Sequence, residues 1–273
     1  MPRNTRNVNQ YYGKYFECCV NSILNNTPID FKEDYAFSEK EKEIFYAHAK
    51  IVADYIGDHS STYVGNLTCS ATGDLMLDNG ETVELKYVSN GNGTYHNTSI
   101  YYLQKFGFDF KQYMIDFGLL QTLEELFGNV YRISRTNKSP VDQTTSSAIR
   151  HGYEDLYNEK IVPIDYQLRK TLTEDVYNYF MNNPEQAQIF LNDMINKVTL
   201  RTTSTETKPD HLIVFNYDKE TISEIDCNSF KSDSIDPETT YKSDLGFVLN
   251  GIRFAFSWQN GAGLYNPTIR VFV

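Results

Sequence analysis

Asp78-Asn79-Gly80, set between two apolar-rich runs, constrains this chain more than any other stretch. An Asn-Gly pair accepts the positive φ angles that a two-residue turn demands. Leu75-Met76-Leu77 and Thr82-Val83-Glu84-Leu85-Lys86-Tyr87-Val88 are therefore predicted to pair as a hairpin. Side chains alternate along a strand, which gives Val83, Leu85 and Tyr87 the core face and Thr82, Glu84 and Lys86 the other. Asp74 falls close to Glu84 and Lys86 on the paired strand. Two carboxylates and an ammonium on a rigid sheet suit a hard divalent cation beside a phosphate. The plainer reading of the same pattern is an exposed face with a surface ion pair.

Length and charge narrow the classes. The 273 residues give room for one large domain or two small ones. No apolar run approaches the ~18 residues of a membrane span, and Met1-Pro2-Arg3-Asn4-Thr5-Arg6-Asn7 lacks the apolar segment of a signal peptide. Cys18, Cys19, Cys69 and Cys227 show no CxxC spacing and read as reduced, buried thiols, so the expected location is the cytoplasm. The formal net charge of −11 argues against a general nucleic-acid coat protein but not against an enzyme acting on DNA, because the charge is uneven. Arg132, Arg135, Lys138 and Arg150 share residues 132–150 with only Asp142, and Arg253 and Arg270 have no acid in residues 250–273. The acids crowd into residues 30–43 and 218–244.

The periodicity supplies the elements. Tyr11, Tyr12, Tyr15, Phe16, Cys19, Val20, Ile23 and Leu24 recur at helical spacing, so a first helix is predicted over residues 8–25 with Glu17 at the border of its apolar stripe. Ser38 followed by Glu41 is a capping-box pattern opening a second helix over residues 38–55. Residues 89–97 read as a polar, glycine-rich loop, and residues 98–127 as helix in pieces broken near Gly107 and Gly118. Residues 165–197 read as helices, with Asn183-Pro184 opening the second, and strands dominate from Asp210 onward. This order predicts one α/β domain over residues 1–273, with a core over about 8–130, a helical insertion over about 150–200 and a β-rich part over 210–273.

Asp/Glu-x-Lys occurs at Asp30-Phe31-Lys32, Glu84-Leu85-Lys86, Asp109-Phe110-Lys111 and Glu206-Thr207-Lys208. Only the second lies on a strand with an acid across a hairpin. Asp74 followed by Glu84-Leu85-Lys86 resembles the active-site hairpin of the PD-(D/E)XK nuclease superfamily, and Gly13-Lys14-Tyr15-Phe16-Glu17 is similar to the Gly-x-x-x-Glu of type II restriction endonucleases. Gly73 stands where that family often has Pro. The resemblance covers about residues 10–105. It implies a restriction-endonuclease-like central mixed β-sheet flanked by helices, and a Mg²⁺-dependent, sequence-specific endonuclease acting on double-stranded DNA. Asp74, Glu84 and the main-chain carbonyl of Leu85 would hold Mg²⁺, Lys86 would act on the attacking water, and Glu17 would serve a second metal or an outer hydrogen bond.

The basic residues Arg132, Arg135, Lys138 and Arg150 are the expected phosphate contacts. Asn90, Asn92 and His96 follow the hairpin and are candidates to touch DNA, while Gln259 and Asn260 sit in an uncharged loop whose amides suit base edges. A homodimer matching the two-fold axis of a palindromic site, and a cognate DNA methyltransferase as functional partner, complete the expectation. Two rivals remain at this level: a structure-selective or repair nuclease of the same fold, and a non-catalytic acidic binding protein.

Overall fold

Ser38 opens its helix as the capping box requires: its hydroxyl accepts from the Glu41 amide, and the Glu41 carboxylate accepts from the Ser38 amide at 2.8 Å. This helix, α2 (Glu39–Ile56), packs with α1 (Thr5–Asn25). The computed structural model describes residues 5–33, 35–65, 73–89, 94–123, 125–126, 154–196, 209–258 and 267–272. Among them no helix is long and apolar enough to cross a membrane. The chain forms mixed α/β structure in two compact units, Met1–Tyr95 with Asn192–Lys231, and His96–Leu191 with Ser232–Val273.

The first unit holds a five-stranded mixed sheet in the order β1-β2-β3-β5-β6. Its strands are β1 (Ser61–Tyr63), β2 (Leu75–Leu77), β3 (Thr82–Val88), β5 (His211–Asn216) and β6 (Thr221–Asp226). β2 pairs antiparallel with β3 and aligns Leu75 with Val83, while β3 pairs parallel with β5 and aligns Glu84 with Leu212. Val83 and Leu85 are buried with Leu75, Ile213, Phe215 and the Tyr15, Phe16, Phe37 and Phe45 rings of α1, α2 and their connection. The alternation along β3 thus faces the core as predicted. The turn differs from the two-residue form. Leu77 and Glu81 are the closing pair, Gly80 donates to the Leu77 carbonyl, and Gly80 takes a φ of +87° with neither Asp78 nor Asn79 in the positive region. It is a three-residue loop that needs one glycine.

The second unit carries a five-stranded sheet in the order β4-β10-β9-β8-β7. β4 is Thr94–Ser99, β7 is Tyr241–Ser243, β8 is Gly246–Leu249, β9 is Ile252–Trp258 and β10 is Pro267–Phe272. A 3-10 helix (Ile100–Phe106), α3 (Phe110–Asp116), α4 (Glu154–Lys160) and α5 (Val162–Asn182) also belong to it, and α6 (Pro184–Ile195) follows α5. Gly107 and Gly118 end their segments at φ of +91° and +69°.

Two sequence expectations divide differently here. Residues 94–97, read as loop, continue as strand, because Thr94-Tyr95-His96-Asn97-Thr98 has the β-branched and aromatic character that pairs alongside β10. The expected core over 8–130 and β-rich part over 210–273 are not the structural units. β5 and β6 pair with the early hairpin strand β3, whereas β7 to β10 form a separate sheet.

Candidate active site

Backbone direction on β3 places the site. Asp210 donates its amide to the Thr82 carbonyl and Tyr217 donates to the Val88 carbonyl, so the even-numbered residues Thr82 to Val88 turn their peptide groups toward β5. Val83 and Leu85 then face β2. The Val83 carbonyl accepts from the Asp74 amide at 2.8 Å, and the Leu85 amide donates to Asp74 Oδ2 at 2.8 Å. β2 begins only at Leu75, so the Asp74 side chain takes the place of the missing ladder partner and the Leu85 carbonyl points toward the same open end of the sheet.

Asp74 is fixed through its own backbone as well. Its carbonyl accepts from the amides of Val64 at 2.9 Å and Gly65 at 3.3 Å, which ties the end of β1 to it. Gly73, just before, has a φ of +110°, and a Cβ there would lie 2.9 Å from the Val83 carbonyl oxygen. Proline fixes φ near −65°, so it cannot occupy this position.

Glu84 and Lys86 lie side by side on β3. The Lys86 ammonium donates to Glu84 Oε1, and the two side chains are 20% and 25% exposed, well short of a free hairpin face. Glu17 arrives from α1 and accepts a hydrogen bond from the Tyr63 hydroxyl at 3.0 Å. Each carboxylate thus has one oxygen held by one donor: Asp74 by an amide, Glu84 by Lys86, Glu17 by Tyr63. Among the described residues no hydrogen bond engages the second oxygen of any of the three.

These groups feel one another's charge. Burial raises the Glu17 pKa most, with the Glu84 charge adding, while Lys86 and the Tyr63 hydrogen bond oppose it. Burial holds Asp74 well above the usual carboxylate range, and Glu17 and Glu84 push it further up against Lys86. For Lys86 burial works against the charged form, but Glu84, Asp74 and Glu17 together outweigh it and raise the pKa. Among the described residues no three His, Cys, Asp or Glu side chains stand in an arrangement that would enclose a metal by themselves.

Of the other Asp/Glu-x-Lys matches, Glu206-Thr207-Lys208 lies outside the described residues, and the remaining two are structural. Asp30 and Lys32 form an exposed ion pair on a loop, with side chains 73% and 74% exposed, and Asp109 caps the amide of Lys111 at the start of α3. Of the expected DNA contacts, Asn90, Asn92, Arg132, Arg135, Lys138, Arg150, Gln259 and Asn260 lie outside the described residues, as does Cys69. His96 is on β4, and its side chain is also outside them. Cys18 and Cys19 are buried free thiols whose pKa burial pushes up to about 12, and Cys227 is buried as well. Tyr63 was not a sequence candidate. Its only signal is that Ser61 and Tyr63 share a face two residues apart on a very short strand.

No protein-family model matches the chain, and comparison with curated proteins and with solved structures finds no match.

Proposed function

We propose that this chain is a Mg²⁺-dependent endonuclease of the type II restriction kind, which hydrolyses phosphodiester bonds in double-stranded DNA. The observation that carries this reading is the meeting of Glu17, Asp74 and Glu84 around a single ammonium, each carboxylate with one oxygen that no described residue engages. With all three ionised, the cluster has two uncompensated negative charges. A DNA phosphate would be repelled from it unless a cation intervened. Mg²⁺ takes one or two carboxylates and keeps several waters, so a closed cage of three protein ligands is not needed. Asp74, Glu84 and the Leu85 carbonyl would hold it, with Glu17 beside them, and the bound ion would supply charge for the phosphate oxygens and lower the pKa of a bound water.

The chain's own groups divide the remaining work. The carboxylates keep Lys86 protonated, so it would serve as a fixed cation that orients the attacking water and stabilises charge developing on the phosphoryl oxygens. Asp74, held at its amide, carbonyl and carboxylate Oδ2, fixes the distance between its other oxygen and the Leu85 carbonyl. The mixed sheet flanked by helices supports the restriction-endonuclease-like reading, with the acidic pair at the centre of the sheet. Phosphate contacts from Arg132, Arg135, Lys138 and Arg150, base contacts from Gln259 and Asn260, contacts from Asn90, Asn92 and His96, a homodimer and a partner methyltransferase belong to the same proposal.

Incubation of plasmid DNA with the purified protein and Mg²⁺ tests it. Discrete fragments are expected. A smear would favour a structure-selective nuclease, and intact plasmid across a panel of DNA substrates would contradict hydrolysis altogether.

A further inference from the structure

Glu17, Asn21 and Asn25 recur every four residues along α1 and form one polar row against β1. Asn25 Nδ2 donates to the Ser61 carbonyl at 2.7 Å, the Ser61 amide donates to Asn25 Oδ1 at 3.0 Å, and the Ser61 hydroxyl donates to Asn21 Oδ1 at 2.9 Å. These bonds already fasten the helix to the strand. The Tyr63 hydroxyl is therefore not needed as a clamp, yet it is aimed at Glu17 and held there from behind. Gly65 has an ordinary φ, so no backbone conformation requires glycine, but a Cβ at that position would stand 2.9 Å from the Tyr63 hydroxyl and 3.0 Å from its ring. The room left by Gly65 is what lets the ring lie down and reach the carboxylate. The Gly65 amide is in turn bonded to the Asp74 carbonyl, which ties the ring's resting place to another acid of the site.

We propose that Tyr63 is a positioning residue: its hydroxyl holds Glu17 Oε2 so that Oε1, which no described residue engages, is presented to the cation, and Gly65 is the steric counterpart that keeps it there. This rests on the metal-dependent nuclease reading above. A hydrogen bond to a metal-directed carboxylate orients it at no cost in charge, and losing such a partner typically weakens metal affinity or activity ~10–100-fold.

Calorimetric titration of Mg²⁺ into DNA-free protein reads this directly, with plasmid cleavage and thermal melting run beside it. Tyr63→Phe is expected to weaken Mg²⁺ binding by about tenfold or more and to slow cleavage similarly, with the melting temperature unchanged. Gly65→Ala, which pushes the hydroxyl away without removing it, is expected to do the same. In a Glu17→Ala background Tyr63→Phe is expected to add nothing, since it acts through Glu17. A Tyr63→Phe protein that binds Mg²⁺ like the wild type, or loses equal affinity with and without Glu17, overturns the assignment while leaving the nuclease reading in place. A wild-type protein that neither takes up Mg²⁺ nor cuts DNA overturns both.

Discussion

Asp74 shows how much of this site is decided at single residues. Its side chain completes the hydrogen bonding of β3 where β2 has not yet begun, so a half-buried acid has a structural reason to be there as well as a chemical one. The cost is its raised pKa. A carboxyl whose folded pKa lies above its unfolded value binds its proton more tightly when folded, so its contribution to stability is full below the usual carboxylate range and is lost as pH rises through the folded pKa. Metal-free wild type should accordingly lose melting temperature relative to Asp74→Asn over the range above the usual carboxylate pKa, since Asn keeps an acceptor for the Leu85 amide without the charge. Parallel melting curves in EDTA check this, and curves that stay parallel across that range would count against the buried charge. Glu84 and Lys86 were legible in the sequence because strand alternation needs only neighbouring residues. Tyr63 was not, since three residues of strand give no period and its partner lies 46 residues away.

At the scale of elements, the hairpin and the strand that joins it from afar set the site's rigidity. Gly73 and Gly80 both take positive φ, but only Gly73 has backbone where a Cβ would go. Gly80→Ala should cost about 1 kcal/mol of turn strain and leave cleavage intact, whereas Gly73→Ala should displace Asp74 and abolish it. Equal cleavage by the two variants would show that Asp74 is not held through its neighbour. The parallel pairing of β3 and β5 opens with a second device. Asp210 Oδ2 accepts from the Thr82 amide at 2.8 Å and its hydroxyl at 2.7 Å, and Asn228 donates to Asp210 Oδ1 at 2.8 Å. Asp210→Ala should lower stability by about 1–3 kcal/mol, measured by urea unfolding, and a change under a few tenths would assign the alignment to apolar packing alone. The helices, the hairpin and the late strands were readable from local pattern. The partner of β3 was not, because pairing across more than a hundred residues leaves no trace in periodicity, and β6 is a largely polar edge whose pattern resembles a loop.

Over the whole molecule, the proposed chemistry gathers in one unit. Glu17, Tyr63, Asp74, Glu84 and Lys86 fall in the first unit, and Arg132, Arg135, Lys138, Arg150, Gln259 and Asn260 lie outside the described residues. A net charge of −11 makes that second set matter, since an acidic chain must concentrate its cations to hold a polyanion. Replacing two of the four basic residues with Ala should flatten the slope of log K against log salt by about 0.9 per lost phosphate contact, measured on duplex DNA in Ca²⁺. An unchanged slope would remove that segment from the interface. The central claim, that Asp74, Glu84 and Lys86 hydrolyse phosphodiesters with Glu17 in support, is tested most directly by comparing plasmid cleavage in Mg²⁺ by wild type, Glu84→Ala and Lys86→Ala, each checked for wild-type folding by circular dichroism. Wild type should cut, and both folded variants should be inactive, because each lacks several kcal/mol of transition-state stabilisation. Cleavage by either variant within about tenfold of the wild-type rate, a difference of only ~1.4 kcal/mol, would contradict it.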